Sequence, residues 1–155
     1  MFMFFNGLIN YFKNSEEHDT RFYYLSLIKE KDGYSIHGLW AQYNETSYPS
    51  FCRDVEFDLN NLKDILPELE KYWYSNKASE KDSDSEKLKF DEQFWKHEYE
   101  KHGSCVFSPM NEHDYFAKTL ELYYKAITDN LPDEFYNPET KKCLIPVSLD
   151  FEFIQ

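Results

Sequence analysis

The chain of 155 residues contains only 4 glycines and 6 prolines, and it has far fewer basic than acidic side chains. So little glycine and proline excludes a collagen-like or low-complexity chain. The 29 acidic and 17 basic residues give a net charge of −12, which argues against loose binding to a polyanion over a broad basic surface. Any contact with nucleic acid must therefore come from a local cationic pocket.

The sequence also has no apolar run that is long enough to cross a membrane, and we expect no membrane partner. The opening segment MFMFFNGLINYF is apolar for about a dozen residues, is interrupted by Asn6 and Asn10, and has no basic start. It makes a poor signal peptide. Residues 1–20 therefore stay open between a cleavable signal, a first helix and a docked terminus.

Cysteines are few, whereas aromatic residues are abundant. Three cysteines leave at least one thiol unpaired within the chain, so their number does not fix the redox compartment. The 14 Phe, 13 Tyr and 3 Trp residues favour a packed core. A chain of this length is expected to form a single domain over residues 1–155.

Strand patterns lie near both ends of the chain. Residues 21–28 (RFYYLSLI) and 34–40 (YSIHGLW) are rich in aromatic and β-branched side chains, with turn residues between them. The tail CLIPVSLDFEFI alternates and is expected to end as a strand. Since helical patterns are grouped between these strands, we predict an α+β fold with a central antiparallel β-sheet and helices packed around it.

The central part of the chain combines helical patterns with one polar segment. Apolar residues recur at helical spacing over residues 58–74, where Pro67 is expected to break or kink the helix. A second helix is expected from Ser108-Pro109 to about Asn130. Residues 75–89 are nearly devoid of apolar side chains, which predicts a mobile loop.

The segment FWKHEYEKHGSC (94–105) concentrates titratable residues on one predicted helix, with Asp91 as its expected cap and Gly103 as its stop. It begins like a zinc-protease signature, in which two histidines lie four residues apart. Here the histidines are five apart, and the fourth position after His97 is Lys101, which is not a zinc ligand under ordinary conditions. We therefore predict no metal at this segment.

Helical geometry places Glu98, Lys101 and His102 on one side of this helix, with His97 on the flank. A carboxylate, an amine and an imidazole on one face suggest proton transfer and anion handling. The alternative for Glu98 and Lys101 is a solvated ion pair.

A further histidine, His37, stands in the segment IHGLWAQYNETSYPSFC (36–52). Together, IHGLW, YPSFC and FWKHEYEKHGSC resemble the two active-site segments of the ribonuclease T2 family, which are usually written IHGLWP and HEWxKHGTC. KYWYS (71–75) is similar to the family's YWPS, and the tail is similar to its closing strands. The resemblance covers roughly residues 21–155.

The resemblance implies a metal-independent endoribonuclease without a cofactor. In this family the 2′-hydroxyl of RNA attacks the adjacent phosphorus, which leaves a 2′,3′-cyclic phosphate that is hydrolysed slowly to a 3′-phosphate. By resemblance His102 is the base and His37 the acid, Lys101 and Glu98 stabilise the pentacoordinate phosphorus, and His97 holds the phosphate. DNA is not expected to be cleaved. The alternative function is a catalytically silent relative that binds RNA or a protein.

The resemblance also suggests residues that bind the substrate base. Trp40 is a candidate stacking platform, with Tyr48 beside it, and Gln42 is a candidate for hydrogen bonds to a base edge. Their alternatives are core packing for Trp40, a surface position for Tyr48 and an exposed loop for Gln42. The sequence departs from the family pattern where Ala41 and Tyr74 replace prolines, which puts substrate selectivity in doubt.

The positions of the cysteines are also similar to the family. Cys52 and Cys105 stand where the family forms a disulfide, and Cys143 resembles a C-terminal cysteine whose partner is missing here, so it is expected to be a free thiol. His18 and His113 match no motif and are expected at the surface. We expect a monomer. The resemblance implies a secreted or vacuolar/lysosomal location, although the poor signal peptide leaves an intracellular or particle-borne location open.

Overall fold

A computed structural model of the chain describes residues 19–155, and its centre is an antiparallel hairpin. Strand β1 (Phe22–Glu30) and strand β2 (Gly33–Gln42) pair along their whole length around the predicted turn. Gly33 takes the positive φ of 128° that this tight turn requires. Residues 1–18 lie outside the described residues. The alternatives for the segment 1–20 and the expected surface position of His18 therefore stay predictions.

Two further strands complete the sheet on the other side of β1. Strand β3 (Tyr136–Asn137) and strand β4 (Lys142–Val147) pair antiparallel, and β4 also pairs with β1, so that the strand order is β2-β1-β4-β3. The expected closing strand is confirmed for its first half, and the remainder of the tail forms a single bridge between Val147 and Phe153.

The helices lie between the hairpin and the last two strands in sequence. Two short 3₁₀ helices (Leu59–Leu62 and Gly103–Cys105) and four α-helices are described: α1 (Leu66–Tyr72), α2 (Asp84–Lys101), α3 (Glu112–Thr128) and α4 (Leu131–Phe135). The predicted α+β fold with an antiparallel sheet is therefore confirmed.

Two helices begin at other positions than the sequence predicts, and the residues at each start explain the difference. Pro67 occupies the first turn of α1 and begins that helix, because a proline there removes no intrahelical hydrogen bond. The side chain of Asn111 caps α3 by accepting from the Asp114 amide, so the cap of this helix lies three residues after the predicted Ser108.

The prediction of a mobile loop over residues 75–89 is wrong for its second half. Ser83 caps α2 by accepting from the amide of Glu86, and residues 84–89 form the first turns of the helix. Few of these residues are apolar, because this end of the helix faces solvent. Asp91, the predicted cap, lies inside the helix, is buried and accepts a hydrogen bond from the Ser75 amide.

The core lies between one face of the sheet and the helices. Tyr23, Leu25 and Leu27 alternate along β1 and are fully or almost fully buried. The other large side chains of the core come from the helices and the loop after α1, and they include Trp73, Trp95, Tyr115 and Phe116. The opposite face of the sheet is only partly covered, and it forms one wall of the candidate site.

No helix among residues 19–155 is long and apolar enough to cross a membrane.

Candidate active site

His37 is placed by an irregularity in β2. The register between β1 and β2 shifts where Ser26 pairs with Gly38 and Leu27 pairs with Ile36, so His37 is an extra residue without a partner across the strand. Such bulges redirect a side chain out of the regular ladder. The backbone carbonyl of His37 accepts a hydrogen bond from the Trp73 indole at 3.0 Å, which ties the bulge to the segment after α1.

The last turn of α2 supplies the other titratable side chains. Lys101 ends the helix and His102 is its C-cap, after which the chain turns through the 3₁₀ helix that begins at Gly103. A methyl group at Gly103 would lie 2.6 Å from the Tyr99 ring, so a larger residue does not fit there without rearrangement. Gly103 thus directly follows the C-cap of α2, close to the stop that the sequence predicts, and its packing requires a residue without a side chain.

The carboxylate of Glu98 lies between two imidazoles. Its Oε1 is 3.4 Å from Nε2 of His37, and its Oε2 is 3.9 Å from Nε2 of His102. The Glu98 side chain is only 3% exposed. Among the described residues it forms no ion pair with Lys101, so the alternative of a solvated Glu98–Lys101 pair is wrong.

Burial sets the protonation of His102. The side chain is 8% exposed, and burial lowers its pKa from 6.5 to about 4, although the Glu98 carboxylate opposes this change. Its Nδ1 is buried and has no hydrogen-bond partner among the described residues, whereas its Nε2 faces Glu98. His102 is therefore neutral near pH 7, which is the form that can accept a proton.

Trp40 holds the carboxylate and covers His102. Its indole Nε1–H donates to Oε2 of Glu98 at 2.9 Å, and its ring stacks on the His102 ring with centroids 4.9 Å apart and planes 25° apart. The His37 ring meets the same indole edge-on at 4.8 Å. One face of the Trp40 ring and its indole N–H thus contact His102 and Glu98, so Trp40 is not simple core packing.

Gly38 permits this close approach. A methyl group at its Cα would lie 2.5 Å from Oε2 of Glu98 and 2.7 Å from Nε1 of Trp40. Both atoms belong to the hydrogen bond that orients the carboxylate. Position 38 therefore accepts only glycine without displacing one of these groups.

A disulfide and two hydrogen bonds fasten the loop after β2 to the end of α2. The predicted pair is confirmed: Cys52 and Cys105 are bonded, with 5.1 Å between their Cα atoms. The Phe51 amide donates to the carbonyl of Lys101 at 2.9 Å, and the Cys52 amide donates to Oγ of Ser104 at 3.0 Å. The two active-site segments are thus held together beside His102.

The candidate catalytic side chains line one pocket of about 380 Å³. All eight residues that the sequence predicts for catalysis or base binding contribute to its wall: His37, Trp40, Gln42, Tyr48, His97, Glu98, Lys101 and His102. Gln42 is buried in β2 and donates to the Asn44 carbonyl, so the exposed-loop alternative is wrong. Tyr48 is 51% exposed and carries the Lys101 amine 5.9 Å above its ring.

Five further side chains of the pocket wall are not predicted from the sequence. The side chains concerned come from β1, from the loop after β2 and from β4, and they are Tyr24, Glu45, Thr46, Lys142 and Leu144. Strand alternation could have placed Tyr24 on the face opposite the core. Pairing of β4 with β1, which brings Leu144 opposite Ser26, cannot be inferred from local pattern.

His113 and Cys143, which the sequence also singles out, lie outside this pocket. His113 lies near the surface and pairs with Asp64 at 2.8 Å, and Cys143 is a buried free thiol, as predicted. Within residues 19–155 no group of three or more His, Cys, Asp or Glu side chains is arranged to hold a metal ion.

Comparison with known proteins decides the family. A model of the Ribonuclease T2 family matches residues 9–143. The chain belongs to the ribonuclease T2 family. It is 35% identical to Ribonuclease DdI of Dictyostelium discoideum over 124 residues, which are 78% of this chain and 51% of that protein. It is 37% identical to Ribonuclease T2 of Homo sapiens over 101 residues, which are 59% of this chain and 32% of that protein.

The match therefore spans about half of the first of these relatives and about a third of the second. Matching relatives also include an intracellular ribonuclease, LX, and an extracellular ribonuclease, LE, both of Solanum lycopersicum, so the compartment stays a prediction.

Solved structures agree on the fold. An RNase-related protein from Calystegia sepium superposes with a TM-score of 0.65 at 20% identity, covering 89% of this chain and 91% of that one. RNase NT, solved in complex with 5′-AMP, gives a TM-score of 0.62 at 22% identity, covering 88% of this chain and 90% of that one. At these identities the likeness establishes the α+β ribonuclease T2 fold.

Proposed function

We propose that this protein is a T2-type endoribonuclease that cleaves single-stranded RNA by attack of the 2′-hydroxyl on the adjacent phosphorus. The observation that carries the proposal is the arrangement of His37 and His102 on either side of the buried Glu98 carboxylate, in a pocket that also contains a lysine. Transesterification needs one group to remove a proton and another to supply one, and two imidazoles meet both needs.

His102 is the base in this proposal. Because its pKa is lowered to about 4, its ring is neutral at the pH of most compartments and can take the proton from the 2′-hydroxyl. The 2′-oxygen then forms a bond to phosphorus as the bond from phosphorus to the 5′-oxygen breaks. His37, whose side chain is 40% exposed, donates its proton to the departing 5′-oxygen. The products are a 2′,3′-cyclic phosphate and a free 5′-hydroxyl.

Side chains of the protein supply the positive charge that the phosphorane requires. Lys101 stands at the end of α2 on the pocket wall, and we assign it to the developing charge on the nonbridging oxygens. His97 is exposed on the same wall and is assigned to the phosphate. Glu98, fixed by the Trp40 indole, keeps both imidazoles oriented, and its carboxylate opposes the effect of burial on the pKa of His102.

We propose that the reaction needs no divalent metal and no cofactor, and that the protein acts as a monomer. In the hydrolysis of the cyclic phosphate to a 3′-phosphate the two roles are exchanged. His37 would take a proton from water, and His102 would donate its proton to the 2′-oxygen. Base selection is assigned to Trp40, Gln42 and Tyr48 on the pocket wall.

A substrate with one altered sugar tests the proposal. The purified protein is given labelled RNA, a matched RNA with a single 2′-deoxy residue, and all-DNA, each with EDTA. We expect RNA to be cut to cyclic phosphate ends, the deoxy linkage alone to be spared, and DNA to remain intact.

Two results would contradict this expectation. Cleavage at the deoxy linkage would mean that water is the nucleophile. Binding of RNA without any cleavage would favour the silent binding module instead.

A further inference from the structure

Phe51 is an aromatic side chain that the catalytic mechanism does not use and that the fold does not bury. It is 59% exposed, the largest exposed fraction among the large hydrophobic side chains of residues 19–155. It belongs to the loop between β2 and the disulfide, directly before Cys52. Its ring contacts the ring of His97 edge-on, with centroids 6.3 Å apart.

The backbone of Phe51 is strained. Its φ is +50°, a conformation that bulky residues rarely adopt. Phe151 has a similar φ of +61°, but its ring stacks on Tyr23 at 5.0 Å, so packing offsets the strain there. Among residues 19–155 the Phe51 ring meets only the His97 ring, edge-on, and stacks on no other aromatic ring. The disulfide at Cys52 and the hydrogen bond from the Phe51 amide to Lys101 hold it in place. Strain that is held without packing is typical of binding sites.

The surroundings of Phe51 match those of single-stranded nucleic-acid sites. Such sites combine exposed aromatic rings, on which bases stack, with cations along the backbone path. Phe51 adjoins His97, and Arg53 lies two residues further on, where its Nε donates to the Ser104 carbonyl. Tyr48, on the same loop, is paired with Lys101. The loop before Cys52 therefore carries two exposed aromatic rings, Tyr48 and Phe51, and each lies beside a basic side chain.

We propose that the Phe51 ring is a stacking platform for a base that flanks the cleaved linkage, outside the pocket of the catalytic histidines. This inference rests on the proposed function, because the flanking base is defined by the linkage that His37 and His102 cleave. An RNA strand whose phosphate contacts His97 would place its next base against the neighbouring exposed ring. Phe51 is then a positioning residue that contributes affinity for longer RNA and takes no part in proton transfer.

Removing bases from the substrate tests this directly. The substrates are tetranucleotides with ribose only at the central cleavable linkage, each with one flanking base in turn replaced by an abasic residue. In the wild-type protein one of these removals should lower kcat/KM about 5- to 100-fold, mainly through KM, which is the range expected for loss of one stacked base.

Three variants separate stacking from folding. Phe51→Asn suits the positive φ and removes the ring, so the same abasic substitution should cost it about twofold or less. Phe51→Trp keeps a ring and should keep the wild-type penalty. Tyr124→Ala removes an exposed aromatic residue on α3, away from the pocket, and should behave as wild type. Thermal unfolding of each variant confirms that it is folded.

An abasic penalty that is unchanged in Phe51→Asn would overturn the proposal, and so would a loss in kcat that is equal on every substrate. Affinity for the all-deoxy tetranucleotide, which cannot react, is measured with the same abasic series. A Phe51-dependent base effect on this ligand without cleavage of RNA would support the platform and sink the proposed function. Cleavage of RNA without any Phe51-dependent base effect would do the reverse.

Discussion

The two sides of Glu98 present the same chemical group in different environments. On the helix side His102 is 8% exposed, covered by the Trp40 ring and joined to α2, while on the strand side His37 is 40% exposed and projects from a bulge. Burial lowers the pKa of His102 to about 4. The difference teaches that position in the fold, and not residue type, distinguishes the two imidazoles, and the proposed mechanism uses the buried one as base and the exposed one as acid.

Replacing either imidazole is expected to have the largest effect. His102→Ala and His37→Ala should each lower kcat/KM for RNA by about 10²- to 10⁴-fold, because each removes one partner in proton transfer. His113→Ala is the matched control, since His113 also pairs with a carboxylate, that of Asp64, but lies outside the pocket. Near-native rates in both active-site variants would contradict the proton-transfer roles of the two imidazoles and favour a binding module.

The disulfide is expected to make the next largest contribution, because it joins the loop after β2 to the chain that follows α2. Cys52 and Cys105 are 53 residues apart in sequence, and the chain-entropy model gives about 4 kcal/mol for closing a loop of that length. We expect the double variant Cys52→Ser/Cys105→Ser to lose up to that free energy of unfolding, measured in urea. Cys143→Ser, at the buried free thiol, is the control for loss of a sulfur. Equal stability of double variant and wild type would contradict the estimate.

Much of the site could be predicted from sequence because its parts are local. Helical spacing alone brings Glu98, Lys101 and His102 to one face, and the pairing of IHGLW with the helix motif indicates the family. The protonation of His102 could not be predicted in this way. From sequence, Glu98 and Lys101 are the visible influences on its pKa, whereas in the structure burial is the largest cause, and part of that burial comes from Trp40 on a different element.

The fold, like the site, could be predicted where it depends on residues that are close in sequence. Strands with their own turn, such as the hairpin around Gly33, follow from local pattern. The start of α2 does not, because its first turns at residues 84–89 face solvent and lack the apolar periodicity that reveals a helix. The bulge at His37 depends on the register with β1, which the sequence of β2 does not contain.

The buried imidazole should also make stability depend on pH, with a smaller effect. The folded pKa of His102, about 4, lies below the value of 6.5 for an exposed histidine, so the unfolded chain binds more protons between these values. Stability from this group is therefore full above about pH 6.5 and is lost as pH falls towards 4, by at most about 3 kcal/mol.

The measurement is the free energy of unfolding from pH 7 to 4 in wild type and in His102→Asn. Wild type should lose more than the variant over this window, and the excess isolates His102 from the carboxylates that also titrate. An identical dependence of the free energy of unfolding on pH in both proteins would mean that the fold does not hold His102 neutral.

Gly38 packs tightly against Glu98 and Trp40, and we expect a moderate loss of activity when a larger residue separates them. Gly38→Ala should displace Glu98 or Trp40 and lower kcat/KM by about 10- to 100-fold, because misplacement by about 1 Å has that order of effect. Gly33→Ala is the matched glycine control: no atom lies within 4 Å of its added methyl group, and strain at φ 128° should lower stability while leaving the rate per folded molecule unchanged. Equal rates for Gly38→Ala and wild type would show that the carboxylate need not be fixed.

The most direct test of the account is to remove the need for an acid. A nucleoside 3′-aryl phosphate releases a phenolate that leaves without protonation but still requires deprotonation of the 2′-hydroxyl. With this substrate His37→Ala should recover most of the wild-type rate, while His102→Ala should stay impaired by about 10²-fold or more. Recovery by His102→Ala and not by His37→Ala would contradict the assignment of the base to the buried helix side and the acid to the open strand side.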